Sequence, residues 1–116
     1  MTLVVAPHAR LAAAQGVNQI HPGFVALDTL DASIVHDIAY YGTDNFIGTP
    51  IDGYERSACL LTVEAADALV RANDELRDFG LAIKVFDCYR PQTAVNHFVR
   101  WAQQKDDTAM KDRYYP

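Results

Sequence analysis

The stretch Leu81-Ala82-Ile83-Lys84-Val85-Phe86-Asp87-Cys88-Tyr89-Arg90-Pro91-Gln92 decides how this chain is read. Residues 81–86 are apolar but for Lys84, without strict alternation, and read as a buried strand rather than a half-exposed one. Pro91 suits the first turn of a helix, where its missing N–H costs nothing. Arg90 therefore falls where a strand ends and a helix begins, a common station for functional side chains on a mixed scaffold. An arginine fixed there meets an anion or a developing oxyanion.

Outward from that stretch the pattern is simple. A second helix is expected to run over 91–104, with Ala94, Val95, Phe98, Trp101 and Ala102 as its apolar face. Upstream, Thr62 is placed to cap a helix over 63–79. Ala66, Leu69, Val70, Asn73 and Leu76 share one side of it, and Gly80 ends it. Residues 24–27 are a short extended candidate. Residues 34–41 read as a longer strand, with Ile34, Ile38 and Tyr40 on one face and Val35 on the other. Between them, residues 42–57 hold three glycines and a proline and must form a long loop, often a functional feature. Residues 1–20 are weakly patterned and form a separate segment before a domain over 21–116.

Composition bounds the function. The 116 residues allow one domain, and half of them are hydrophobic with 22% charged, which describes a globular chain. A net charge of −5 argues against nucleic acid and against an anionic membrane surface as partners. No apolar run reaches the length of a membrane span. The start lacks a basic segment followed by a continuous apolar one, so a cytoplasmic location is expected. Alanines 12–14 keep a degraded export signal, and with it the periplasm, as the alternative. Cys59 and Cys88 form no CxxC site and sit beside apolar residues, so they read as buried free thiols. No glycine-rich phosphate loop follows a strand, which argues against nucleotide binding.

A resemblance enters with particular residues. Tyr40-Tyr41-Gly42-Thr43-Asp44-Asn45-Phe46-Ile47-Gly48, then Asp52-Gly53-Tyr54, is similar to a loop of the D-alanyl-D-alanine dipeptidases of the VanX type. Phe86-Asp87-Cys88-Tyr89-Arg90-Pro91-Gln92, the following Ala94-Val95-Asn96-His97-Phe98, and Tyr114-Tyr115-Pro116 resemble the same family, in the same order. The resemblance implies an α+β fold, here a small sheet packed with two helices as the incomplete N-terminal part of a zinc D-Ala-D-Ala peptidase. It implies zinc-dependent hydrolysis of the dipeptide D-alanyl-D-alanine in bacterial cell-wall metabolism or glycopeptide resistance. It also implies that Arg90 steadies the transition state, with Asp87 and Tyr89 in support.

The family's zinc ligands and general base lie in Ser-x-His-x-x-Gly-x-Ala-x-Asp and Glu-x-Trp-His segments, and neither occurs here. His8, His21, His36 and His97 form no HExxH or comparable pair, so no metal ligand is assigned. His97 reads as a boundary histidine, and His36 and Asp37, adjacent in a strand, point to opposite faces. The chain is therefore expected to be inactive alone. It awaits a complementing C-terminal half or, in the alternative reading, is a non-enzymatic relic that self-associates or binds a partner through an uncovered apolar face. Asp44 and Asn45 read as an Asx turn. Tyr40, Tyr41, Tyr54 and Tyr89 are candidates to line a small pocket. Asp28, Asp31, Asp106 and Asp107 read as solvated surface charge.

Overall fold

The computed structural model describes residues 20–116. All of the weakly patterned segment except Ile20, including alanines 12–14, lies outside the described residues. Four short strands form two two-stranded sheets. β1 (Phe24–Ala26) pairs antiparallel with β3 (Leu60–Thr62), Val25 opposite Leu61. β2 (Val35–His36) pairs parallel with β4 (Lys84–Val85), Val35 opposite Lys84. The fold is α+β, as the resemblance implies, with two sheets where one was expected.

α1 (Val63–Arg77) follows β3 without a loop. Its capping is local chemistry: the Thr62 hydroxyl accepts from the Ala65 N–H at 3.3 Å, relieving one of the unpaired donors of the first turn. Glu64 in that turn and Arg77 in the last complement the helix dipole. The chain leaves the helix through Gly80, at φ +69°. α1 buries Ala66 completely against Leu27, Ile34, Ile38 and Cys59, which form the first core.

Asn73, on the same helix face, is 2% exposed and supplies a polar tie instead of an apolar contact. Its amide donates to Asp31 Oδ2 (3.1 Å) and Ser33 Oγ (2.9 Å), and its Oδ1 accepts from the Ile83 N–H (2.8 Å). One side chain thus holds α1, the approach to β2 and the approach to β4 together. Asp31 is consequently more than solvated charge. Hydrogen bonds from the Ser33 hydroxyl and then the Ser33 N–H lower its pKa below the usual carboxylate value.

Two expected strands are shorter than read. The run 34–41 is extended only at Val35–His36 and then turns through residues 39–41. Ile34 and Ile38 are nonetheless buried while Val35 is exposed, as the facing predicted. The run 81–86 is strand only at Lys84–Val85, and it is half-exposed: Leu81 is 59% and Phe86 54% accessible, while Ile83 and Val85 pack inward. An apolar run shows affinity for a core without showing how many faces are covered. Here the two-stranded sheet covers one.

The cysteines also depart from expectation. Cys59 and Cys88 are not free thiols but form a disulfide between residues 29 positions apart. Cys59 immediately precedes β3, and Cys88 lies three residues beyond β4. A hydrogen bond from the Tyr89 N–H to the Leu60 carbonyl (2.9 Å) brings the two segments together.

α2 (Gln92–Gln103) begins one residue after Pro91, which is its N-cap. Ala94 is fully buried against Ile47 and Ile51 in a second core, and Phe98 and Trp101 each approach the Phe46 ring at 5.1 Å. Val95 and Ala102, expected on this face, are exposed. The loop over 42–57 is held by the expected Asx turn. Asn45, 1% exposed, accepts from the Ile47 and Gly48 N–H groups at 3.0 Å each and donates to the Gly42 and Thr49 carbonyls at 2.9 Å each. A final turn, α3 (Lys111–Tyr114), returns to this loop. Arg113 and the Tyr114 hydroxyl both engage Asp44, and Tyr115 stacks edgewise on Trp101.

Candidate active site

The two cores meet at Tyr54, whose ring packs against both. Its hydroxyl donates to Asp87 Oδ1 at 2.7 Å. One residue, Phe86, separates Asp87 from β4, and its carbonyl accepts from the Ala39 N–H (3.0 Å). The carboxylate also accepts from the Cys88 N–H at Oδ1 (3.0 Å) and from Arg90 at Oδ2, Nε at 3.0 Å and Nη2 at 2.7 Å. Four donors converge on two oxygens, which fills the capacity of an ionised carboxylate.

Arg90 is fixed in two directions. Asp87 takes donors from Nε and Nη2, and the guanidinium lies over the rings of Tyr40 (5.4 Å) and Phe98 (5.2 Å). Its side chain is 44% accessible, so the group is both held and presented to solvent. The hydrogen bonds it donates to Asp87 raise its pKa further, and the cation is permanent. Burial, then the bond to Asp87, raises the Tyr54 pKa strongly, so Tyr54 remains a phenol and a donor. A permanent cation with a locked plane and spare N–H donors is suited to a carboxylate or an oxyanion.

The other singled-out residues lie elsewhere. Tyr41 is exposed. Tyr89 points its ring at Phe24 (5.4 Å) and, with His21, Phe24 and Leu60, lines a separate cavity of about 370 Å³. His97 Nδ1 accepts from the Asp52 N–H (3.1 Å), and Asp52 also pairs with Arg100 at 2.6 Å. Asp37 pairs with Lys84 at 3.2 Å, away from His36. Residue-by-residue reading placed Tyr54 among pocket candidates but missed its bond to Asp87. The one sequence signal was its place in Asp52-Gly53-Tyr54.

A catalytic zinc needs three protein ligands and an open position. Among the described residues no group of three His, Cys, Asp or Glu side chains could hold a metal ion. These residues do not fit a zinc site. No helix among them is long and apolar enough to cross a membrane.

The sequence pattern of the D-ala-D-ala dipeptidase family of peptidases matches residues 20–116, all of the described residues. The chain belongs to that family. It is 38% identical over 94 residues to a D-alanyl-D-alanine dipeptidase of Enterococcus faecium, covering 81% of this chain and 46% of that protein. It is 41% identical over 93 residues to one from Streptomyces coelicolor, covering 80% and 46%. The Enterococcus faecalis protein of the same name is 39% identical over 94 residues, again 81% and 46%. The chain thus spans about half the length of the curated relatives it matches.

Proposed function

We propose that residues 20–116 form the arginine-bearing part of a D-alanyl-D-alanine dipeptidase, in which Arg90 stabilises the anion that develops as the amide carbonyl is attacked. The observation that carries this reading is the fixed Arg90, gripped by Asp87 and laid over Tyr40 and Phe98. Attack turns a neutral carbonyl into an oxyanion, and a cation already in place stabilises that charge without reorganising. Asp87 and Tyr54 act through Arg90. Tyr89 belongs to this reading only through its backbone, because its ring faces the other cavity. The family's zinc-ligand and general-base segments do not occur in this sequence, and we infer that residues 20–116 hydrolyse the dipeptide only together with a segment that supplies them.

The test is a chimera in which residues 20–116 replace the matching segment of the Enterococcus faecium relative. It should hydrolyse D-Ala-D-Ala, and Arg90→Ala should lower kcat roughly 10²–10³-fold. An Arg90→Ala chimera with near-parental kcat would sink the proposal. Turnover by the unfused chain with added zinc would overturn its predicted inactivity.

One observation favours the non-enzymatic reading. Val95 and Val99 stand exposed one turn apart on α2, at 37% and 52%, the kind of surface that covers a partner or a second copy. Light scattering distinguishes it: concentration-dependent dimers abolished by Val99→Lys support association through this face. As to compartment, a disulfide between these cysteines favours the periplasmic alternative over the cytoplasm, where thiols are kept reduced.

A further inference from the structure

The segment that carries Asp87 and Arg90 has little secondary structure of its own. β4 ends at Val85 and α2 begins at Gln92. Among the described residues the backbone of residues 87–90 makes a single main-chain hydrogen bond, from Tyr89 to Leu60. Beside the side-chain contacts of Asp87, Tyr89 and Arg90, it is anchored by the covalent link from Cys88 to Cys59. Cys59 is 1% exposed, packed in the first core, and its carbonyl accepts from the Leu27 N–H at 2.9 Å. Cys88 stands between Asp87 and Tyr89, and its own N–H donates to the Asp87 carboxylate at 3.0 Å. The disulfide therefore ties a rigid point in the core to the residue whose amide orients Asp87.

We propose that Cys59 and Cys88 are positioning residues: their disulfide is a reducible clamp that sets Asp87, and through it Arg90, for anion binding. This rests on the reading of Arg90 as the anion-stabilising group. With the bond closed, the Cys88 amide, the Tyr54 hydroxyl and the Arg90 guanidinium share one carboxylate. With it open, residues 87–90 keep one backbone hydrogen bond, and the Cys88 donor is free to turn away. The opening step balances with a dithiol reductant. Its thiolate attacks the sulfur of Cys88, the less buried of the two residues, giving a mixed disulfide there and releasing the Cys59 thiolate. Its second thiol then closes a cyclic disulfide. Two electrons and two protons pass to the protein, leaving thiols at Cys59 and Cys88.

The experiment follows the Arg90 Nε–H resonance by ¹⁵N NMR on the full chain, assigned with Arg90→Lys, well below the melting temperature of the reduced form. In the oxidised chain the Nε–H should be protected by Asp87. Dithiothreitol should raise its exchange rate at least tenfold while α1 amides stay protected. The double variant Cys59→Ala/Cys88→Ala should reproduce that without reductant. Asp87→Asn should abolish protection with the disulfide intact. In the chimera, reduction should lower kcat with KM little changed, and reoxidation should restore it. An Arg90 Nε–H unmoved by complete reduction overturns the clamp. So do two free thiols after equilibration in a glutathione-disulfide buffer, or loss of α1 protection together with Arg90. The NMR readout does not depend on hydrolysis, so its failure leaves the role of Arg90 standing, and failure of the Arg90→Ala test leaves the clamp measurable.

Discussion

Tyr54 donates its hydroxyl to Asp87 across 2.7 Å and 33 positions of sequence, joining the long loop to the junction that bears Arg90. The carboxylate it holds is the one that grips the guanidinium at Nε and Nη2. The loop and the arginine are thus one unit. A change at Tyr54 reaches the arginine through this carboxylate.

Tyr54→Phe should keep the ring between the two cores and remove the hydroxyl. Asp87 retains its bonds from Cys88 and Arg90, so the fold survives with a loss of about 1–2 kcal/mol, read by urea denaturation. In the chimera, kcat should fall roughly tenfold, less than for Arg90→Ala, because Arg90 keeps its charge and loses only some orientation. A variant as active as the parent would show that Asp87 holds Arg90 without help.

Where the sequence was legible, the determinants were local. Thr62 and Ala65 lie within one turn, so the start of α1 followed from residue types alone. The Asx turn at Asn45 likewise closes within three residues. Asp87 and Arg90 lie three apart, close enough in sequence for the supporting role read for Asp87, and they pair. The illegible features depend on which segments become neighbours. The disulfide exists because β3 and the end of β4 approach across 29 positions, and nothing at Cys59 or Cys88 alone reports that approach. Leu81 and Phe86 look like core residues because their chemistry is apolar, yet their exposure depends on how many layers cover β4. Asn73 looked like a helix-face residue, and its three partners come from two remote segments.

Asn73→Ala should cost about 2 kcal/mol, because it strands the part-buried Ile83 N–H and removes the donor shared by Asp31 and Ser33. For a chain of this size that is a fall in melting temperature of roughly 10 °C. Asn73→Leu, which fills the volume, should be no better, since the unpaired amide remains. A melt within 2–3 °C of the parent, on the same scale, would show that water replaces the tie.

Asp31 gives the pH dependence of that tie. Its pKa is lowered in the folded chain from 3.8 by Ser33 and, more weakly, by Asn73. A depressed carboxylate pKa contributes stability above the unfolded value, and that contribution is lost as pH falls through the folded one. Stability should therefore drop more steeply below about pH 4 in the parent than in Asp31→Asn. Parallel acid limbs for the two chains would remove Asp31 from the acid response.

Gly53 tests how closely the loop lies on the start of α2. Its φ is +92°, and a Cβ there would fall 2.2 Å from Thr93 Oγ1 and 2.7 Å from Pro91 Cγ. Gly53→Ala meets both a strained backbone and a collision with the ring that caps the helix. A loss of more than about 2 kcal/mol is expected. Gly23, at φ +85°, has open space where its Cβ would go, so Gly23→Ala carries the backbone strain alone and should cost about half as much. Equal losses would mean that Pro91 and Thr93 move aside freely.

The disulfide supplies the last contrast, between stability and position. Closing a loop of this length restricts the unfolded chain by about 3.5 kcal/mol in the chain-entropy account, or roughly 10–20 °C in melting temperature. Reduction should lower the melt by that amount and leave a cooperative transition, since the second core contains neither cysteine and the first is built mainly from Leu27, Ile34, Ile38 and Ala66. Cys59→Ala/Cys88→Ala should melt at or somewhat below the reduced parent, because it also removes the sulfur of Cys59, which is buried in the first core. A reduced chain that melts with the oxidised one would mean that residues 59 and 88 stay together without the bond. The Leu60–Tyr89 hydrogen bond and the core around Cys59 would then suffice to hold the arginine junction.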